Sequence, residues 1–118
     1  MGLLTKEMET KLLKNGAVNA KRIEVDGNTE DFKPVVKFFN PCGDATWLFS
    51  ELDSDGDTLF GLCDLGCGSP EIGSASLSEI KSITLSFGLK IERDASFKAD
   101  KTLTEYADDA RANGYIKT

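Results

Sequence analysis

The sequence predicts an α+β fold in a single domain. We expect one antiparallel or mixed sheet of about five strands, with the N- and C-terminal helices packed on one face. Apolar residues at helical spacing are confined to the two ends of the chain, whereas the middle alternates short apolar runs with turn residues. A chain of 118 residues with 40% hydrophobic content can bury one core, so we treat residues 1–118 as one domain.

The first element is predicted to be a short amphipathic helix over residues 5–14, where apolar residues recur every four positions. Asn15-Gly16 follows and is typical of a helix end, because both residues tolerate left-handed backbone. Residues 17–30 are polar and contain the turn pair Asp26-Gly27, so this stretch is either a hairpin strand or a loop.

Short apolar runs separated by turn residues predict strands at 35–39, 45–52, 58–64 and 71–75. The second run is apolar on both faces, as expected of a central strand. It is joined to the third by the acidic segment from Asp53 to Asp57, which predicts a hairpin.

A capping box at Ser76–Glu79 predicts one or two helical turns, because its hydroxyl and carboxylate can each satisfy an unpaired amide of the first turn. Apolar and polar residues then alternate strictly over residues 83–91. This period of two predicts extended chain with one wet face, divided by a turn or bulge at Gly88.

The last helix is predicted from a second capping box, Thr102–Glu105, followed by apolar residues at helical spacing. Asn113-Gly114 supplies the stop signal. This is the clearest helical pattern in the chain.

The negative charge of the chain is concentrated in its middle third. Between Lys37 and Lys81 there are eight acidic residues and no basic ones: Asp44, Glu51, Asp53, Asp55, Asp57, Asp64, Glu71 and Glu79. Such a field attracts cations and basic surfaces and repels phosphate, so a basic protein surface is the expected partner. The formal net charge of -6 disfavours direct binding of nucleic acid.

Four aspartates of this region, Asp53, Asp55, Asp57 and Asp64, form the candidate partner-binding set. Their spacing copies positions 1, 3, 5 and 12 of a calcium loop, but Thr58 stands at the position that needs glycine, and strands replace the flanking helices. A solvated hairpin tip is therefore favoured over a cation site.

A second candidate group combines Glu51, Arg93 and Asp94. Continuing the alternation of the preceding segment places Arg93 on the buried row, where its charge needs a carboxylate from Glu51 or Asp64. The group is either a structural ion pair or an arginine fork that orients a substrate carboxylate or phosphate.

The remaining composition excludes several classes of site. The chain has no histidine, so histidine-dependent nucleophilic catalysis is excluded. Three cysteines, Cys42, Cys63 and Cys67, cannot all pair within the chain and lack the ligands for a zinc site, so neither metal nor cofactor is expected. No export signal or membrane-spanning run is present, and we expect a cytoplasmic protein of unknown oligomeric state.

Residues 33–114 resemble a family of small bacterial, plasmid and phage proteins classed as a domain of unknown function. The resemblance rests on these residues and segments: Pro34–Phe39, Thr46–Leu48, Glu51–Asp53, Asp57–Gly66, Pro70-Glu71, Ser76-Leu77, Glu79, Glu92–Asp94 and Phe97. It leaves the first helix outside the match and implies no activity. The family often occurs in mobile elements, which is an association and does not indicate an activity.

Two hypotheses of function follow. In the first, the protein is an acidic interaction module, and within a mobile element an inhibitor that mimics the charge of nucleic acid. In the alternative, it is a small-ligand or metal-dependent enzyme with a charged cleft around Glu51, Asp64 and Arg93 beside Trp47.

Overall fold

The computed structural model describes residues 2–118, which form three helices and a five-stranded antiparallel sheet. The helices are α1 (Lys6–Val25), α2 (Leu77–Ser82) and α3 (Leu103–Asn113). The strands are β1 (Val36–Phe39), β2 (Thr46–Leu52), β3 (Thr58–Asp64), β4 (Glu71–Ser76) and β5 (Glu92–Arg93). Their spatial order is β4-β3-β2-β1-β5, so β2 is central, as its two apolar faces predict. The predicted α+β class is confirmed.

The two terminal helices lie on opposite faces of the sheet, not on one face as predicted. Trp47 and Phe49 of β2 pack in one core cluster with Leu12 of α1. Leu48, which points the other way from the same strand, packs with Leu103 and other residues of α3. Because successive side chains of a strand point to opposite faces, a central strand that is apolar on both sides needs cover on each.

Helix α1 continues eleven residues past the predicted end at Lys14, to Val25, and the expected stop at Asn15-Gly16 lies in its interior. The amide of Asn15 donates a hydrogen bond to Ser50 O at 3.0 Å, and Gly16 lies against the backbone of Leu52. Strand β1 pairs with β2 only as far as Phe49, so α1 covers the end of β2 that lacks a neighbouring strand on this side. Asn15 and Gly16 therefore allow α1 to pack closely against β2. The stop is Asp26-Gly27, with Gly27 at φ +76°.

The alternating segment 83–91 is not a strand. It folds back on itself through a 3-10 turn at Ser86–Gly88, with a single bridge between Thr84 and Lys90. The turn predicted at Gly88 is confirmed, and Phe87 beside it also has a positive φ of 62°. Phe87 is consequently 99% exposed, although its parity with the apolar residues around it predicts a buried side chain.

The C-terminal helix agrees with the prediction in detail. Thr102 accepts a hydrogen bond from Glu105 N, the Glu105 carboxylate accepts one from Thr102 N, and Gly114 at φ +81° ends the helix. In the part of the chain that is described, no helix is both long enough and apolar enough to cross a bilayer.

Candidate functional site

A cleft of about 350 Å³ opens where the second half of α1 passes the ends of β2, β3 and β4. Its remaining wall is the segment 29–32 together with the first turn of α3. Four carboxylate residues line it: Glu30, Asp31, Glu51 and Asp53. Its apolar lining includes Ile23, Phe60 and Ile72. We call this cavity the acidic cleft.

The wall segment of the acidic cleft is fixed between the two terminal helices. Buried Asn19 donates to Glu30 O at 3.0 Å and accepts from Glu30 N at 2.7 Å. On the other side, Phe32 O accepts from Leu103 N at 2.9 Å, and Asp31 Oδ1 accepts from Thr104 N at 3.1 Å. The cleft is thus built by chain segments that are far apart in sequence but firmly connected by hydrogen bonds.

Glu51 is the acid most strongly shaped by this environment. A β-bulge after Phe49 changes the register between β2 and β3, so that Glu51 pairs with Phe60 of β3. The Glu51 side chain lines the cleft. Its Oε2 accepts a hydrogen bond from Asn19 at 2.7 Å. Partial burial raises the pKa of Glu51 above its ordinary value, and the Asn19 hydrogen bond opposes that shift.

The charge of the acidic cleft is of one sign. No lysine or arginine is among its lining residues within 2–118. Glu30 has a cationic neighbour, Arg22, at 3.6 Å, and both side chains are about half exposed, so their attraction is weak. Across the described residues, Glu51, Asp31 and Asp53 form no salt bridge, and their field is therefore open to an incoming cation.

The acidic loop from Asp53 to Asp57 borders the cleft and is ordered by its own carboxylates. Asp55 accepts hydrogen bonds from the Thr58 hydroxyl, Thr58 N and Asp57 N, and these bonds lower its pKa, that from the hydroxyl having the largest effect. Among the described residues, the Asp53 carboxylate accepts one hydrogen bond, from the adjacent Ser54 N at 2.8 Å. The predicted hairpin between β2 and β3 is confirmed.

Asp57 connects this loop to α2. Its carboxylate accepts from the Ser76 hydroxyl at 2.7 Å and from Ser78 N at 2.8 Å, and its backbone oxygen accepts from Leu77 N. These bonds lower the pKa of Asp57, that from Ser76 having the largest effect. Asp55 and Asp57 therefore hold the local structure, whereas Asp53 faces solvent at the cleft.

Asp64, the fourth member of the predicted partner-binding set, lies at the opposite end of β3. It is 2% exposed and accepts hydrogen bonds from Gly66 N at 2.9 Å and Ile116 N at 3.0 Å. Asp44 and Glu71 lie near the same end as Asp64, since Thr46 pairs with Asp64 and Glu71 with Cys63. The acidic residues of the middle third are thus divided between two ends of the sheet. The end beside the acidic cleft carries more of them than the end with Asp44, Asp64 and Glu71.

Arg93 is half-buried, but neither proposed carboxylate reaches it. Its guanidinium donates to Leu3 O at 2.7 Å, and within the described chain its Nε has no hydrogen-bond partner. It lies on β5 at the sheet edge, whereas Glu51 lies at the far end of β2. Asp94 faces Lys37 at 3.5 Å instead.

The enzyme hypothesis required a cleft shared by Glu51, Asp64 and Arg93, and these residues lie in three separate places. Trp47 is 6% exposed in the core. No group of three or more potential metal ligands occurs among residues 2–118. Cys42 and Cys67 are exposed free thiols, and burial raises the pKa of the Cys63 thiol.

Sequence reasoning identified Glu51 and Asp53 as candidates but missed Asn19, Phe60 and Ile72. Asn19 lies in a stretch that reads as polar loop, and its helical spacing from Leu12 was the available signal. The position of Phe60 opposite the small Ser74, which leaves the ring 37% exposed, depends on strand pairing and has no local signal.

Comparison with known proteins places the chain in a family without assigning it an activity. No curated protein matches it, and no solved structure matches it. A family model matches residues 3–117, which extends the resemblance to the first helix as well. The chain therefore belongs to the family described as protein of unknown function (DUF2958).

Proposed function

We propose that this protein is an interaction module that docks on a basic protein surface through its cleft end, formed by the acidic cleft and the loop from Asp53 to Asp57. The observation that carries the proposal is that the charged residues lining the cleft are all acidic. Charges of this kind steer a basic partner and select against acidic ones.

The architecture supports a rigid docking surface. Asp55 and Asp57 fix the loop from within and tie it to α2, while Asn19 fixes the opposite wall. A surface that is ordered before binding loses less conformational entropy when it binds. The cleft also exposes apolar side chains next to its carboxylates, and a partner can bury these apolar groups on binding.

The partner's own function decides the consequence of docking. A partner whose basic surface binds nucleic acid would be inhibited, because the acidic residues would occupy the surface that otherwise contacts phosphate. Competition between this protein and nucleic acid for the purified partner tests this part of the proposal. Simultaneous binding of both would reject it.

The docking face is tested by affinity capture with two baits of equal net charge. The first carries Glu51→Gln and Asp53→Asn at the cleft end, and the second carries Asp44→Asn and Glu71→Gln at the other end. We expect a partner that is retained by wild type and by the second bait at low salt, but released from all baits at high salt. Equal loss from both double variants would reject the cleft end as the docking face.

A further inference from the structure

We propose that the acidic cleft receives one arginine side chain of the partner, with Glu51 as its ion-pair acceptor and Phe60 as the surface on which the guanidinium stacks. This inference rests on the proposed function and names the chemical group that the same site recognises. It also separates specific insertion into the cleft from general attraction to an acidic surface.

The charged residues that line the cleft around Glu51 are all acidic, which favours a cation. Asn19 of α1 contributes a neutral amide, the wall segment contributes Glu30 and Asp31, and Asp53 lies in the loop just after β2. Arg22 is the one base paired with this set in residues 2–118, and it lies beside Glu30. An incoming cation would meet acidic groups and one neutral amide around Glu51.

Glu51 is oriented and incompletely satisfied. Its Oε2 is held by Asn19 at 2.7 Å, whereas Oε1 receives no hydrogen bond from the described residues. The carboxylate is partly removed from water, which raises its pKa. Pairing with a cation would restore the lost solvation and return that pKa toward its ordinary value. Oε1 and the second lone pair of Oε2 can accept the two parallel N–H groups of one guanidinium fork.

The apolar wall distinguishes this site from an ordinary acidic surface. Phe60 of β3 pairs with Ser74 of β4, which is too small to cover the ring. Ile72 lies on the same face of β4 as Ser74, and Ile23 of α1 closes the other side. An exposed aromatic ring beside carboxylates suits a planar cation, because a guanidinium can stack on the ring while its N–H groups pair at the edge.

Arginine fits these features better than lysine. The guanidinium remains charged at all accessible pH values, is more weakly hydrated and presents a flat face. A lysine ammonium is a strongly hydrated point charge that would use the carboxylates but gain less from the exposed ring. We therefore expect arginine to bind more tightly than lysine, and an uncharged analogue not to bind.

The test is a titration of the ¹⁵N-labelled full chain with a capped glycine-arginine-glycine peptide, followed by amide chemical shifts. Peptides with lysine or with neutral citrulline in the central position serve as ligand controls, all at one ionic strength. We expect saturable shifts centred on Glu51, Phe60 and Ile72, a weaker response to lysine, and none to citrulline.

Three variants complete the experiment. Glu51→Gln removes the charge while keeping an acceptor for Asn19, and Ser74→Leu covers Phe60 without changing charge. Each should weaken binding of the arginine peptide about tenfold or more. Glu71→Gln, an equal change of charge on an exposed residue of β4 that does not line the cleft, should leave binding unchanged.

The inference is overturned by shifts that spread over the surface without saturation, by equal binding of the citrulline peptide, or by lysine binding as tightly as arginine. It is also overturned if Glu51→Gln or Ser74→Leu binds as wild type does. In any of these cases the proposed function still stands if partner capture depends on the cleft-end charges. That function fails separately if the two charge-matched baits behave alike.

Discussion

The Asn19 side chain donates a hydrogen bond to Glu51 Oε2 at 2.7 Å and exchanges two more hydrogen bonds with the backbone of Glu30. One buried amide thereby joins the central strand, the first helix and the cleft wall. A polar group buried in this way must keep its partners, because leaving them unsatisfied costs more than each bond contributes.

Replacing this amide should loosen the cleft wall. We expect Asn19→Ala to lower the free energy of unfolding by about 2 kcal/mol, since it strands polar groups of Glu30 and Glu51. Chemical denaturation measures the change. Asn113→Ala is the control, because among residues 2–118 that exposed amide bonds only to Asp109 of its own helix, and its loss should cost much less. Equal costs would contradict the structural role of Asn19.

The charge of Glu51 is expected to oppose folding. Its pKa is raised in the folded state, so the ionised form is disfavoured there relative to the unfolded chain at pH values above the raised pKa. Glu51→Gln should therefore raise the thermal midpoint at neutral pH while weakening partner binding. The gain should disappear as the pH falls through the raised pKa toward 4.5, where the native carboxylate becomes protonated. A lower midpoint at neutral pH would indicate that Glu51 is a structural residue.

The contact between α1 and β2 depends on the absence of a side chain at Gly16. A Cβ at this position would overlap Leu52 O, a backbone atom of the central strand. We expect Gly16→Ala to destabilise the protein by about 2 kcal/mol, although alanine is the better helix former. Gly73→Ala on β4 is the control, because a Cβ there meets nothing within 4 Å. Unchanged stability of Gly16→Ala would place α1 farther from the strand.

The hydrogen bonds between Asp57 and the start of α2 should make the stability of the protein sensitive to acid. The folded pKa of Asp57 is lowered, so its contribution to stability is complete above the ordinary value of 3.8 and is lost as the pH falls through the lower folded value. Asp57→Asn should reduce the thermal midpoint at neutral pH, and the difference from wild type should vanish in strong acid. Asp53→Asn should change the midpoint less, because the Asp53 carboxylate accepts one hydrogen bond in the described structure, from the adjacent Ser54 N. A difference that persists in strong acid would contradict this explanation.

Local sequence patterns correctly predicted elements that carry a clear local signal. The capping box at Thr102 and the glycine at Gly114 set the limits of α3 because both act on neighbouring amides. The two apolar faces of β2 likewise predicted its central position. For α3, the interactions that determine the structure lie within a few residues of one another.

Predictions were wrong where distant contacts override the local pattern. The buried face of α1 continues from Leu12 to Asn15 and Asn19, which carry amides in place of aliphatic side chains. A helix predicted from apolar residues alone therefore ends before the real one. Residues 83–91 alternate as a strand does, yet a turn at Gly88 exposes Phe87. The acidic cleft combines α1, three strands and α3, and its composition follows only from how they pack.

We propose that the cleft end, and not net acidity, recognises the partner. This proposal is tested most directly by the dissociation constant of the purified partner for the two charge-matched double variants at one ionic strength. We predict that Glu51→Gln with Asp53→Asn weakens binding at least about tenfold, while Asp44→Asn with Glu71→Gln changes it less than about twofold. Equal weakening by both pairs would show that the protein binds through its overall charge and would contradict the account.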